Sequence, residues 1–323
     1  MRSFLIRRVL WMIPSFLGIT LVVFALIRAA PGDALTMQGD LALNANAASA
    51  KAMREYRHLM GLDDPLLLGY GKWLWRVTVD HDLGTSFKDG QPVLTKLREA
   101  LPVTLTLSLL ALLLTYLVAI PVGIYSAVRP GSATDRALTG GLFLLYSLPS
   151  QWVAMLLIVT IGASWRWLPI QGLHSEGNTS LIDLAKHLVL PLFCLTYATF
   201  ASLSRYVRSG MLEVIRQDYI RTARAKGLSE RVVVFKHAFR NALITIITLL
   251  GLTLPALVGG AVIVERIFGL PGMGHLSFDA ILSKDIPVLM GTTALAGMLT
   301  MVGLLLSDVL YAVADPRIQV ERG

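Results

Sequence analysis

Residues Asp218–Thr245, D-Y-I-R-T-A-R-A-K-G-L-S-E-R-V-V-V-F-K-H-A-F-R-N-A-L-I-T, form a basic segment between two long apolar runs. Asp218 can cap a helix by accepting hydrogen bonds from the free N–H groups that follow it. Arg224 and Lys226 lie toward the other end, where the helix dipole favours cations. Gly227 stands where a left-handed residue closes a helix. The pattern predicts a short helix, a glycine stop and a second helix that leads back into an apolar run.

The second helix is predicted to be amphipathic. Ser229 can cap it, and an apolar stripe follows at helical spacing: Val232, Phe235, Phe239 and Ala242. A first helix of about 8 residues is unstable in isolation, so we expect it to dock on another surface. Small Ala223 and Ala225 would allow that surface to approach closely. A basic loop held against anionic lipid headgroups is the alternative, but it explains only the charge.

The composition predicts a membrane protein. Of the 323 residues 54% are hydrophobic and 15% are charged, a charged fraction well below that of a water-soluble domain. An apolar helix of about 20 residues crosses the hydrocarbon. Six runs fit this length: Val9–Ala29, Pro102–Val128, Leu138–Ile161, His187–Tyr206, Ala242–Val264 and Val288–Ala312. We therefore expect an all-α protein with six transmembrane helices, the first of them retained because its apolar run is longer than that of a signal peptide.

The distribution of charge predicts the orientation. The chain carries a net charge of +8, and the Lys/Arg excess falls on one side when both termini are placed in the cytoplasm. Such a bias sets topology, so it explains the basic excess better than nucleic-acid binding does. The expected organisation is residues 1–30 as the first span, 31–101 as an extracytoplasmic insert, 102–312 as a five-helix domain and 313–323 as a cytoplasmic tail. A basic loop at about 207–241 interrupts the five-helix domain.

The insert and the third span each carry a local signal. In the insert, helices are predicted at Ala48–Met60 and Leu66–Val79, the second either on the membrane surface or packed in a small domain. In the third span, Pro149 removes a backbone hydrogen bond and bends the helix, and the hydroxyls of Ser147 and Ser150 can repair the loss. A kink that lines a translocation path and ordinary packing both fit this pattern.

Motifs for bond chemistry are missing from the sequence. It contains no Walker loop and no catalytic signature of a zinc protease or serine hydrolase, and its one cysteine, Cys194, fits a small core residue. Glu265 and Asp308 fall near the ends of spans, where we expect them to be solvated. Ion-driven carriers place ionisable groups near the midplane, and the sequence offers none there. These observations favour a transport subunit that is not an enzyme and holds no cofactor.

At these residues the chain resembles the permease subunits of ATP-binding-cassette importers, in the oligopeptide/dipeptide/nickel branch. Arg221–Gly227 occupies the place of the superfamily's E-A-A-x-x-x-G loop. Ala223 and Gly227 match that motif, whereas Arg221 and Thr222 replace its Glu and first Ala. R-T-A-R-A-K-G-L is the usual sequence of this motif in the peptide branch. Further matches lie in order along the chain: A-P-G-D, G-L-D-D-P-L, D-L-G-T-S-F, S-L-P-S-Q-W, H-A-F-R-N-A-L, P-G-M-G and D-V-L-Y-A-V-A-D-P-R-I.

The resemblance implies a type I importer permease fold and a coupling helix that fits a cleft on an ATPase. The implied coupling residues are Asp218, Tyr219, Arg221, Thr222, Ala223, Arg224, Ala225, Lys226 and Gly227. The implied partners are a second related permease, two ATPase subunits that hold ATP and Mg²⁺, and an extracytoplasmic binding protein, in a bacterial or archaeal cytoplasmic membrane. A peptide is the expected substrate. A secondary carrier or channel that works without an ATPase is the alternative.

Overall fold

The computed structural model describes residues 2–29, 64–253 and 262–314, and helices dominate these ranges. The α-helices are α1 Arg2–Ala29, α2 Leu66–Thr78, α3 Val93–Val128, α4 Ala133–Ser147, α5 Ser150–Leu157, α6 Leu181–Ile215, α7 Asp218–Ala225, α8 Glu230–Val232, α9 Phe239–Thr253, α10 Val262–Ile267, α11 Met273–Leu282 and α12 Ile286–Ala314. Two π-helical segments continue α5 and α8, at Ile158–Ser164 and Val233–Ala238.

The membrane character predicted from composition is confirmed. Within the described residues, α1, α3, α6 and α12 are each long and apolar enough to span a membrane, and the bent pair Ala133–Ser147 and Ser150–Ser164 adds a fifth candidate. The first, second, fourth and sixth predicted spans each lie inside one of these four helices, whereas the third, Leu138–Ile161, corresponds to the bent pair. The span predicted at Ala242–Val264 enters through α9, but its middle lies outside the described residues. The helix count of six therefore stays a prediction.

Contacts divide the chain into two units. One comprises Arg2–Pro102 and Pro271–Leu299, and its core includes α1 packed on α2. The Tyr70 hydroxyl lies 2.9 Å from the Thr20 hydroxyl and donates to the Leu17 carbonyl, and its ring stacks on Trp73. The helix predicted at Leu66–Val79 is thus present as α2, packed on α1. The helix predicted at Ala48–Met60 lies outside the described residues.

Asp285 organises the loop before α3 in the same unit. Its buried carboxylate accepts hydrogen bonds from the Ser86 hydroxyl and from the N–H groups of Phe87 and Lys88. The P-G-M-G motif at residues 271–274 leads directly into a helix, because Gly272 is the N-cap residue of α11. Sequence patterns did not indicate α11.

The other unit contains Val103–Leu270 and Thr300–Gly323. Helices α4 and α6 pack along each other, and α3 approaches α6 closely at Gly123. A Cβ atom added to Gly123 would stand 2.6 Å from the Val207 Cβ, far inside van der Waals contact. Glu265 is wholly buried here and accepts a hydrogen bond from Thr104. Our expectation that Glu265 is solvated was wrong, because the folded chain buries its side chain and Thr104 of α3 binds its carboxylate.

Candidate functional site

The candidate site is built on a crosspiece, Asp218–Gly227, which joins α6 to the helix that returns toward α9. Helix α7 begins at Asp218, and Gln217 takes the N-cap position without a side-chain cap. The Asp218 carboxylate is 96% exposed and pairs with Arg221 at 3.4 Å. The capping role predicted for Asp218 was therefore wrong. As a carboxylate in the first turn, it still interacts favourably with the helix dipole.

The predicted glycine stop is confirmed. Gly227 has φ +78°, in the left-handed region, and its N–H donates to the Arg224 carbonyl at 2.9 Å. The Lys226 N–H donates to the Thr222 carbonyl at 3.0 Å. A residue with a Cβ is disfavoured in this conformation, so glycine is the residue that allows the chain to reverse here.

An ion pair closes the turn behind Gly227. The Arg224 guanidinium donates two hydrogen bonds to the Glu230 carboxylate, at 3.1 and 2.6 Å. Arg224 lowers the pKa of Glu230 by hydrogen bonding to its charged form, and the pKa of Arg224 is raised by the same contact. The pair links the last turn of the crosspiece to the first residue of α8.

The inner face of the crosspiece packs on the rest of the chain. Ile220 and Ala223 are buried in one cluster with Val207 and Met211 of α6 and Val233 of the π segment. This packing explains how a helix of only about two turns persists. It also corrects the role expected for Ala223, because its methyl group fills the chain's own core and does not face a partner.

The outer face is exposed and predominantly basic. The exposed residues are Asp218, Tyr219, Arg221, Thr222, Arg224, Ala225, Lys226 and Gly227. Three of these are cations and one is an anion. Ala225 stands among them as a small exposed residue, so this face has room for another surface to approach closely.

The first turns of the return helix bury a different face from the one predicted. Val232 and Phe235, two residues of the predicted stripe, are exposed at 37% and 60%, whereas Val233, Val234 and Ala238 are buried. Phe235 lies within the π segment Val233–Ala238, where an extra residue per turn changes the spacing of the side chains and moves it off the buried face. Beyond that segment, Phe239 is half-buried against the same cluster and Ala242 is buried, as predicted for the stripe.

A break interrupts the third predicted span. Leu148 and Pro149 are extended, and the helices on either side are bent by 94°. Ser147 donates to the Phe143 carbonyl within its own helix, and Ser150 donates to Gln151. The bend thus lies at the predicted residues, while its place in a translocation path stays a prediction.

The hydroxyl that stabilises the break comes from a residue the sequence did not indicate. Tyr197 of α6 is wholly buried and donates to the Leu148 carbonyl at 2.6 Å. The carbonyl freed by the break therefore has a partner from another helix. Among the described residues, no cluster of three or more His, Cys, Asp or Glu side chains could hold a metal ion.

Comparison with known proteins places this architecture in a class. Residues 119–320 match the family described as "Binding-protein-dependent transport system inner membrane component", and residues 1–108 match its N-terminal family. The oligopeptide transport system permease protein AppB of Bacillus subtilis is 42% identical, over 99% of this chain and all of that protein. The dipeptide transport system permease protein DppB of Escherichia coli is 35% identical, over 99% of each chain.

The fold also has a solved counterpart. The MetNI methionine ABC transporter, in inward-facing conformations, contains a chain that matches with a TM-score of 0.56 at 18% identity. The match covers 69% of this chain and 97% of that one. At this identity it supports the fold alone.

The fold and the site thus define a multi-pass inner-membrane component of a binding-protein-dependent transport system. The chain belongs to that family, as a permease subunit of an ABC importer in its oligopeptide/dipeptide branch. Permeases of this class work with an ATPase and a substrate-binding protein.

Proposed function

We propose that this chain forms half of the translocation path of an ATP-driven importer of di- or oligopeptides, and that the crosspiece couples it to the ATPase. One observation carries the proposal. The crosspiece is fixed to its own chain through Ile220 and Ala223, while its opposite face is exposed and basic. A short helix held in this way can transmit a push from a second protein into the membrane helices.

The chemistry of the outer face indicates the kind of partner surface. Arg221 and Lys226 favour a cleft lined by carboxylates, and Ala225 allows close backbone approach. Tyr219 is 45% exposed and offers the large aromatic contact that often dominates interface energetics. ATP and Mg²⁺ would bind to the ATPase, so the chain's own residues receive movement and carry out no bond chemistry.

The assembly would contain a second homologous permease, two ATPase subunits and an extracytoplasmic binding protein. The names of the relatives support a peptide as the substrate. The Lys/Arg bias supports cytoplasmic termini in a bacterial or archaeal cytoplasmic membrane, with the crosspiece on the cytoplasmic side. An ATPase-independent carrier would give the exposed face of the crosspiece no partner.

The test adds bulk to the exposed face without disturbing the core. Ala225→Trp should reduce the amount of ATPase that copurifies with the tagged permease by about tenfold, the change that about 1.4 kcal/mol produces. Uptake of labelled alanine di- and tripeptides by the reconstituted complex should fall with it. Ala185→Trp is the matched control, because Ala185 is an exposed alanine near the opposite end of α6.

The two variants separate docking from insertion. Equal expression of both in the membrane, with ATPase lost only from Ala225→Trp, supports the proposal. Full copurification and full uptake by Ala225→Trp would contradict the assignment of this face.

A further inference from the structure

Two contacts tie α4 to α6, one near each end of α4. The first joins Asp135, in the first turn of α4, to Arg208 of α6. The second joins Leu148, immediately after α4, to Tyr197 of α6. Both pairs lie within one compact unit.

At the first contact, the buried carboxylate of Asp135 accepts several hydrogen bonds. Arg208 donates from Nε and Nη2 at 3.0 and 2.9 Å. The Ser126 hydroxyl of α3 and the N–H of Gly131, in the α3–α4 turn, also donate to it. Asp135 is 3% exposed. A bidentate ion pair with these added hydrogen bonds has one strongly preferred geometry, so α4 cannot slide along α6 at this end without breaking several bonds.

The Tyr197 contact fixes the other end. The Tyr197 hydroxyl donates a hydrogen bond to the Leu148 carbonyl, which is the last backbone group before Pro149. The Tyr197 ring stacks on Phe193 and is fully buried, so the hydroxyl has little freedom to move away. The α4 segment between the two contacts is therefore held against α6 along its length.

Helix α6 connects both contacts to the crosspiece. It runs unbroken from Tyr197 through Arg208 to Ile215, and α7 begins three residues later. At a rise of about 1.5 Å per residue, Tyr197 lies about 27 Å along the helix from Ile215. A displacement of the crosspiece therefore reaches both contacts through one rigid element.

We propose that Asp135 and Tyr197 are positioning residues that strap α4 to α6, so that α4, α6 and the crosspiece move as one body. The Leu148–Pro149 break lies immediately beyond the strap. Movement of the crosspiece is then converted at the break into a change of angle of α5. This inference rests on the proposed function, in which a partner ATPase moves the crosspiece.

The test measures distances between spin labels in the complete complex, with and without a non-hydrolysable ATP analogue. One label pair replaces Lys226 and Leu144, on the crosspiece and α4. The other replaces Lys226 and Trp152, on the crosspiece and α5. A label at Lys226 takes the place of a long side chain and leaves the small Ala225 unchanged. All three side chains are exposed. We expect the first distance to stay constant on nucleotide binding and the second to change.

Breaking the strap should alter the first distance. In Asp135→Asn and in Tyr197→Phe, which keeps the ring and removes only the hydroxyl, the Lys226–Leu144 distance distribution should broaden and shift with nucleotide. Uptake of labelled alanine tripeptide per ATP hydrolysed should fall, while ATP hydrolysis persists. Asp183→Asn is the control, because Asp183 is also buried but binds Ser175 in the loop before α6.

Each outcome has a defined meaning. A constant Lys226–Leu144 distance in both strap variants, with normal uptake per ATP, would overturn the strap. If the strap is broken, uptake per ATP hydrolysed falls while hydrolysis persists. If a variant is only unstable, uptake and hydrolysis fall together in proportion to the amount of complex that remains. Such a parallel loss would also overturn the positioning role. If the ATPase does not bind the wild-type chain, or neither distance in it responds to nucleotide, the proposed function itself fails.

Discussion

Replacement of Gly227 by alanine tests the geometry of the crosspiece with the smallest change available. Gly227 has φ +78°, and no atom lies within 4 Å of the position that a Cβ would take. The substitution therefore introduces backbone strain and no steric clash. Left-handed backbone costs a residue with a Cβ about 1–2 kcal/mol. The free crosspiece can relieve this strain by leaving the left-handed conformation, which docking must then restore, so the cost enters the association equilibrium. Since about 1.4 kcal/mol is a tenfold change in an equilibrium constant, we expect Gly227→Ala to weaken ATPase association by about five- to thirtyfold.

Two further variants isolate the cause. Gly177 has φ +75° and is equally open, but lies in the loop before α6. Gly177→Ala therefore introduces the same backbone strain at a site outside the crosspiece, and it should leave ATPase association unchanged. Gly227→Asn should recover most of the loss, because asparagine tolerates the left-handed region. Association is measured by titrating purified ATPase onto the permease in nanodiscs.

The comparison has a clear negative result. If Gly227→Ala and Gly177→Ala bind the ATPase with equal affinity, the closing geometry of the crosspiece does not matter for docking. If Gly227→Asn is as weak as Gly227→Ala, the loss comes from the added side chain and not from strain. Gly227→Arg adds bulk to the same strain, so its loss of uptake should exceed that of Gly227→Ala.

Two other predictions concern stability. Gly123→Ala should lower the unfolding temperature, at an overpacking cost of about 1–3 kcal/mol, because its Cβ would stand 2.6 Å from the Val207 Cβ; Gly140→Ala, which meets open space, should not. Because Arg224 lowers the pKa of Glu230 in the folded chain, the pair stabilises above the ordinary carboxyl range and is lost as pH falls through the lowered value. The free energy of unfolding of the wild type should thus exceed that of Glu230→Gln at pH 7 by less than about 1 kcal/mol, since both groups are well exposed. A difference between the two that grows on acidification would contradict this.

Local signals made parts of the site predictable. The glycine stop follows from Gly227 alone, because a left-handed helix end depends on one residue's backbone. The apolar spans could be predicted equally well, since a membrane helix is determined by its own composition over about 20 residues. Pro149 indicated the position of the break, although a proline alone does not decide one, because Pro14 and Pro191 stand inside continuous helices.

Features set by distant contacts were not predictable. Tyr197 and Leu148 are 49 residues apart in sequence, and Arg208 and Asp135 are 73 apart. No local pattern links such pairs. We expected Ala223 to face a partner. Its burial depends on packing from other helices, which no pattern in its own segment reveals. The stripe through Phe235 failed for a related reason, because a π segment changes the period on which the prediction rests.

Cross-linking from the exposed face of the crosspiece tests the central claim most directly. Lys226→Cys places a reactive thiol there in exchange for a long exposed side chain, while the native Cys194 is buried in α6. A thiol-linked photoreactive probe on this variant, in membranes that contain the whole complex, should join the permease to its ATPase subunit. Ala185→Cys should give no such product. Absence of the ATPase adduct at residue 226, or equal adducts from both positions, would contradict the account.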